Sequence, residues 1–289
     1  MSTTILTYRK AEYLWVSLAI LIVCVLIYLS QAATDPPSGS TLQGYLLGGA
    51  GAGLIVWLSL LGIRKRRYGG VGSVQAWASA HVYLGVTLLG VVLLHSAAQV
   101  GWNVHTLAFV LLLVVIVSGI VGAGLYLVVP ERHSRLRQGR SRADLFREMT
   151  ELDDKCLELS RSCATATELS VRSSIERTVV GGGVFDQLFG RDRSTFMNGD
   201  NVEIQRNQDQ ADVLRYVAQL APGVRTQAES AALQGLVTLM ARRQGLLRRI
   251  RQDIQLQGFL ELWLYVHVPV SLALIAAVLI HVFVVFWYW

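Results

Sequence analysis

The sequence predicts an all-α protein: a five-helix transmembrane bundle with a polar helical hairpin inserted before the last span. Three observations predict it. Of the 289 residues, 53% are hydrophobic and only 16% charged, with a mean hydropathy of +0.44, whereas a soluble domain of this length carries more charge. Five apolar stretches are each long enough to cross a hydrocarbon core, which takes about 20 helical residues. The basic residues, which give a net charge of +6, stand beside those stretches and read as membrane anchors, not as a nucleic-acid surface.

The spans run over residues 13–30, 42–63, 74–97, 105–129 and 259–289. The first ends in Ser30-Gln31-Ala32, which resembles a small-x-small cleavage site. Its apolar run is longer than a signal-peptide core, and it reads as a retained helix. Arg9 and Lys10 precede the first span; Arg64, Lys65, Arg66 and Arg67 follow the second; Arg132, Arg135, Arg137, Arg140 and Arg142 follow the fourth. Segments 31–41 and 98–104 and the C-terminal end carry no Lys or Arg. The positive-inside rule then puts the N-terminus in the cytoplasm and the C-terminus outside a bacterial inner membrane. Trp287, Tyr288 and Trp289 form the expected aromatic anchor on the outer side.

The chain divides into spans one to four (1–129), a cytoplasmic insertion (130–258) and span five (259–289). The insertion opens with Leu145, Met149, Leu152, Cys156, Leu159 and Cys163, spaced 4, 3, 4, 3, 4. It closes with Leu233, Leu236, Met240, Leu247, Ile250 and Ile254, with one polar interruption. Both read as heptad seams, and together they predict an antiparallel hairpin continuous with spans four and five. Residues 179–201, rich in Gly and polar residues, read as a loop. Gly181, Gly182 and Gly183 lack the Lys-Ser/Thr that a phosphate-binding loop needs. The three cysteines form no Cys-x-x-Cys or Cys-x-x-Cys-His. They exclude covalent c-type haem and a disulfide framework, and read as small buried hydrophobes.

Four of the six histidines carry the functional reading. His81 and His95 lie on span three, His267 and His281 on span five, and each pair is 14 positions apart. Fourteen helical residues make nearly four turns, so each pair faces one side, about 21 Å apart along the axis. Spans three and five cross in the same direction, which sets His81 level with His267 and His95 level with His281. Two imidazoles on facing helices at each of two depths is the arrangement that two six-coordinate haems need. No carboxylate or thiolate accompanies them, as a zinc site would ask. Gly48 and Gly62 on span two, also 14 apart, are the candidate haem contacts; the remaining span glycines read as close helix packing. Pro269 is expected to open span five locally beside His267.

Histidines paired 14 apart on the second and fourth helices of a four-helix bundle resemble the cytochrome b of quinol-oxidising cytochrome bc complexes. In this chain those helices are spans two to five. The run Trp263-Leu-Tyr-Val-His267-Val-Pro269-Val-Ser271, ending at His281, is also similar to the bacterial dihaem cytochrome b and ferric-reductase-like membrane group. The likeness covers about 130 membrane residues. It implies a haem-binding four-helix core with bis-histidine b haems at His81/His267 and His95/His281. Pro130-Glu131 continues as Arg-His, where the quinol-oxidising family has Pro-Glu-Trp-Tyr, so quinol bifurcation is not implied.

The expected role is a transmembrane electron-transfer subunit, the membrane cytochrome b of an oxidoreductase complex. Its expected partners are membrane lipid, an iron–sulfur or flavin redox subunit docked at the hairpin, and a quinone or an outer-side cytochrome. With no nucleotide fingerprint and no cluster ligands, the chain is not expected to accept hydride by itself. The alternatives are a haem-containing sensor or assembly scaffold signalling through the hairpin, and an enzyme reducing ferric ion or quinone directly. Among the other polar residues, His105 is a candidate for a haem propionate, a quinone or a helix cap. Arg64, Arg66 and Arg67 are candidates for lipid or propionate contact, and Glu261 for a proton relay. His133 reads as solvated.

Overall fold

A computed structural model describes residues 4–32, 39–66, 72–97, 99, 104–200, 203–223 and 226–288. Arg67 and Trp289, and most of segments 31–41 and 98–104, lie outside them. The described chain is mostly helical. Its elements are α1 (Glu12–Ala32), α2 (Leu42–Arg66), α3 (Val74–Ser96), α4 (Val104–Arg137), α5 (Arg142–Ser160), α6 (Thr165–Glu176), α7 (Val184–Leu188), β1 (Thr195–Met197), β2 (Ile204–Arg206), α8 (Ala211–Gln219) and α9 (Gln227–Tyr288). Five helices (α1 to α4 and α9) are long and apolar enough to cross a membrane, which suggests a multi-pass membrane protein. Two compact units divide the chain: residues 1–127 with 262–289, and residues 128–261.

In the first unit the helices are apolar on every face. Leu26, Ile120, Leu279 and Phe286 stay exposed, as they do on helices whose surroundings are hydrocarbon. Cys24 of α1, Leu47 of α2 and Val91 of α3 meet in one buried cluster. A Cβ on Gly90 would come within 2.8 Å of Leu21 Cδ1, so this glycine serves the helix contact. Ser73 caps α3, its hydroxyl accepting from Ala76 N at 3.1 Å. Leu88 of α3, Leu112 of α4 and Leu274 of α9 meet in one buried cluster, with Leu54, Ile55 and Leu58 of α2 around it.

The second unit is more than a hairpin. The seam residues do pack: Leu145, Met149 and Leu152 of α5 with Leu246, Leu247 and Ile250 of α9. The polar interruption is Arg243, buried among them. It pairs with Asp153 and donates to Gln210 Oε1 (2.9 Å) and Thr178 Oγ1 (3.1 Å). Farther along, Cys156, Leu233, Leu236 and Met240 join Val171 of α6, Phe196 of β1, and Val213 and Val217 of α8. Residues 179–201, expected as a loop, hold α7 and β1, and β1 pairs antiparallel with β2, Phe196 opposite Gln205. These elements are too short for periodicity to reveal. The expected continuity of span four with the hairpin also fails. Gln138 and Gly139 take positive φ (50° and 77°), and Ser141 and Asp144 build a capping box that starts α5 afresh. α9, by contrast, continues unbroken from the insertion through Pro269.

The cysteines are free thiols. Burial pushes the Cys156 thiol up to about 11, and burial with Glu229 nearby raises that of the less buried Cys163. Native protein at neutral pH is therefore expected to alkylate at Cys163 about tenfold or more faster than at Cys156, since the thiolate is the nucleophile. Timed maleimide labelling with peptide mapping checks this; equal rates would show that the insertion core is open.

Candidate functional site

His95 projects from α3 toward α2, where its Nδ1 lies 2.8 Å from the carbonyl of Gly44. His81, on the same face of α3, lies 3.1 Å by Nδ1 from the carbonyl of Leu58. A carbonyl can only accept, so Nδ1 carries the proton in both rings and Nε2 carries the lone pair. The two acceptors, like the two histidines, are 14 residues apart. α2 and α3 are thus joined twice by the same contact, at the same helical phase. Trp57 and Trp77 stack at 5.1 Å and 7° within a turn or so of the His81 bond.

The glycines expected at this face stand four residues after each acceptor. Helix geometry puts the side chain of residue i+4 over the carbonyl of residue i, so Gly48 leaves Gly44 O open and Gly62 leaves Leu58 O open. A Cβ on Gly48 would come within 2.8 Å of His95 Cε1 and 3.1 Å of its Nδ1. A Cβ on Gly62 would meet none of the described residues within 4 Å. Gly48 is therefore sterically required by His95, whereas no described side chain requires Gly62.

On α9, His267 Nδ1 lies 2.8 Å from Ser118 Oγ of α4. The Ser118 hydroxyl donates to Val115 O at 2.9 Å, which leaves its oxygen to accept from Nδ1–H. His267 thus has its proton fixed on the same nitrogen as His81 and His95. Trp263 stacks on His267 (5.3 Å, 29°) and donates Nε1–H to Ser118 O at 2.8 Å. A Cβ on Gly122 would overlap the Trp263 indole, and one on Gly119 would touch His267 Cε1 at 3.6 Å. α9 is continuous at Pro269, and Ser271 Oγ donates to the carbonyl of His267 at 2.7 Å.

His281 stands with its ring centroid 6.2 Å from that of His95, the planes at 81°. Its Nδ1 is buried and makes no hydrogen bond among the described residues. His105 of α4 meets the His281 ring edge-on at 4.4 Å. Leu88 and Leu274, which share one cluster, each lie seven residues from both histidines of their own helix. With His95 beside His281 and both midpoint leucines in one cluster, α3 and α9 run in the same direction. Seven residues are two turns, about 10 Å of rise.

No family model, curated protein or solved structure matches the chain.

What the site can hold is decided by its donor set. Among the described residues, no group of three or more His, Cys, Asp or Glu could hold a bare metal ion. A haem needs only two, because its macrocycle supplies four nitrogens. Two imidazoles bound to one iron by Nε2, at metal–nitrogen distances of about 2 Å, stand about 6 Å apart between ring centroids. The His95–His281 separation fits that, and the oxygen partners on Nδ1 of three rings are the usual orienting contacts behind metal-bound imidazoles. The orphaned Nδ1 of His281 and the Gly48 cradle belong to the same level.

Sequence reasoning missed Ser118, although a lone hydroxyl in the apolar run of α4 was its signal. It could not see Gly44 O and Leu58 O, because backbone acceptors leave no mark in composition. Arg64 Nη2 donates to Gly72 O at 2.7 Å, and Glu261 accepts from Gln257 at 2.7 Å. His133, read as solvated, is instead bonded by Nδ1 to the buried Asp253 at 2.5 Å.

Proposed function

We propose that this chain is a dihaem membrane cytochrome b that carries electrons across the bilayer, with His81/His267 and His95/His281 as the two pairs that would hold the haems. The supporting observation is the doubled contact between α3 and α2, in which His81 and His95 meet carbonyls spaced 14 residues apart through the same ring nitrogen. Packing alone asks for no such repeat. When bound, a b haem held by two imidazoles supplies one-electron transfer with no open coordination position. The chain's own residues do the rest. Gly44 O, Leu58 O and Ser118 hold Nδ1 protonated, so that each Nε2 is the basic atom. Gly48 gives His95 its room. Leu88, Leu112 and Leu274 fill the space between the two levels with hydrocarbon, which keeps water from it.

On this reading the four-helix core is α2, α3, α4 and α9, and α1 is an addition. The N-terminus lies in the cytoplasm of a bacterial cell and the C-terminus outside, by the loop charges. The 130–258 insertion is the surface for an iron–sulfur or flavin partner, and a quinone or an outer cytochrome completes the path.

The test is a reduced-minus-oxidised spectrum with pyridine haemochrome quantitation on wild type and His81→Ala. Two haems b per wild-type chain and one in the variant are expected, and carbon monoxide should leave the reduced spectrum unchanged. A wild type without haem would discard the proposal. Carbon monoxide binding to the reduced protein would favour a haem sensor instead.

A further inference from the structure

A second surface is built for a different ligand. In the insertion unit, Val184, Phe185 and Phe189 are 67%, 73% and 68% exposed, and the two phenyl rings stack with centroids 6.5 Å apart. Three large apolar side chains held out together are unusual on a polar domain. They are held firmly. Phe189 N donates to Phe185 O (3.0 Å) and Arg191 N to Asp186 O (2.9 Å), and Asp186, buried beneath, pairs with Arg193 at 2.9 Å.

The position of this wedge along α9 decides its partner. Gln255 Nε2 donates to Leu188 O at 2.8 Å, and a Cβ on Gly258 would touch Leu188 Cδ2 at 3.5 Å. Gly258 is one residue before the apolar run that begins at Phe259. The wedge is therefore anchored within about one helical turn, about 5 Å, of the point where α9 becomes hydrophobic. At that level α9 and the last turns of α4 enclose a cavity of about 340 Å³ lined by Arg132, Arg135, Leu136, Gln252, Gln255 and Leu256. Gln255 thus both lines the cavity and holds the wedge. Arg135 pairs with the exposed Glu131, while Arg132 makes no ion pair among the described residues. The Arg191 guanidinium lies 5.9 Å from the Phe189 ring centroid.

We propose that this face is a lipid-interface site: Val184, Phe185 and Phe189 insert at the headgroup–acyl boundary, and Arg132 and Arg135 take the phosphate of an anionic phospholipid. Aromatic side chains beside arginines at the depth where a helix meets hydrocarbon are what that boundary selects. Basic pockets beside membrane helices bind anionic headgroups. The site rests on the multi-pass reading and is independent of the haems.

The test uses the full chain in nanodiscs of phosphatidylcholine, with and without an equal part of phosphatidylglycerol. A nitroxide goes on Phe185→Cys, with Arg161→Cys as the solvent reference, both on a Cys163→Ser background in which the remaining thiols are buried. In the mixed discs the ratio of oxygen to nickel-chelate accessibility at 185 should exceed that at 161 by on the order of fivefold. Removing phosphatidylglycerol should lower it about twofold or more. In Arg132→Gln/Arg135→Gln the two lipid compositions should give the same ratio. Equal ratios at 185 and 161 would overturn the insertion. A high ratio at 185 indifferent to phosphatidylglycerol with both arginines present would overturn the anionic-lipid assignment. A label immobilised in native membranes without oxygen preference would overturn both, in favour of a protein partner.

Discussion

Gly48→Leu is expected to lose the haem at the His95/His281 level and retain the other, halving the haemochrome absorbance per chain. The reason is local and steric. The first carbon of any side chain at 48 would stand 2.8 Å from His95 Cε1 and 3.1 Å from Nδ1, inside contact distance. The ring must swing away, and with it goes the 2.8 Å bond to Gly44 O. A part-buried donor and acceptor left apart cost about 1–3 kcal/mol each, and Nδ1 of His95 is no longer held protonated by that carbonyl. Gly62→Leu is the control, because a Cβ at 62 meets none of the described residues within 4 Å and the contact between His81 and Leu58 O can persist. Haem quantitation with low-temperature optical spectra separates the two levels. Two haems with an unchanged spectrum in Gly48→Leu would refute the orienting role of the carbonyl contact.

Asp253→Ala is expected to destabilise the insertion unit by about 3–5 kcal/mol, the cost of breaking a buried ion pair from one side. The Asp253 side chain is 1% exposed. It accepts from Arg137 Nε (2.7 Å) and Nη2 (3.0 Å), from Arg142 Nε (2.8 Å), and lies 2.5 Å from His133 Nδ1. Burial alone would raise its pKa. The hydrogen bonds from Arg137, then Arg142 and His133, overcome that and hold the carboxyl at about 2. The folded value lies below the unfolded one of 3.8. The carboxylate therefore contributes stability above about pH 4, and that contribution is lost as the pH falls through about 4 to 2. A shift of this size corresponds to about 2 kcal/mol. Limited proteolysis of the insertion across that range should show an acid limb in wild type that is absent from Asp253→Ala. A variant as resistant as wild type at pH 7 would mean that the cluster contributes nothing to the fold.

The two expectations draw on different layers of information. The five spans were legible because a membrane helix announces itself by local composition. Likewise, 81/95 and 267/281 share a helical phase whatever surrounds them. The seams Leu145 to Cys163 and Leu233 to Ile254 were legible for the same reason, since a heptad is a local repeat. Arg243 breaks the repeat in the sequence yet is buried in the structure. Its partners Asp153, Gln210 and Thr178 come from separate elements, so nothing near it in the chain reveals why a cation belongs there. The capping box of Ser141 and Asp144 is the opposite case, a local signal three residues wide that the heptad pattern does not contain.

The sequence by itself determined the membrane spans, their apolar faces and the phase of the four histidines, because each depends only on residues within a few helical turns. Only the tertiary structure decided what holds each imidazole: Gly44 O and Leu58 O, Ser118, and the ring of His105 against His281. It alone placed Asp253 among Arg137, Arg142 and His133, and Leu188 beside Gln255. Those contacts join residues tens to more than a hundred positions apart, and several use backbone oxygens that every residue carries. Periodicity cannot encode them, since they exist only once the helices are packed.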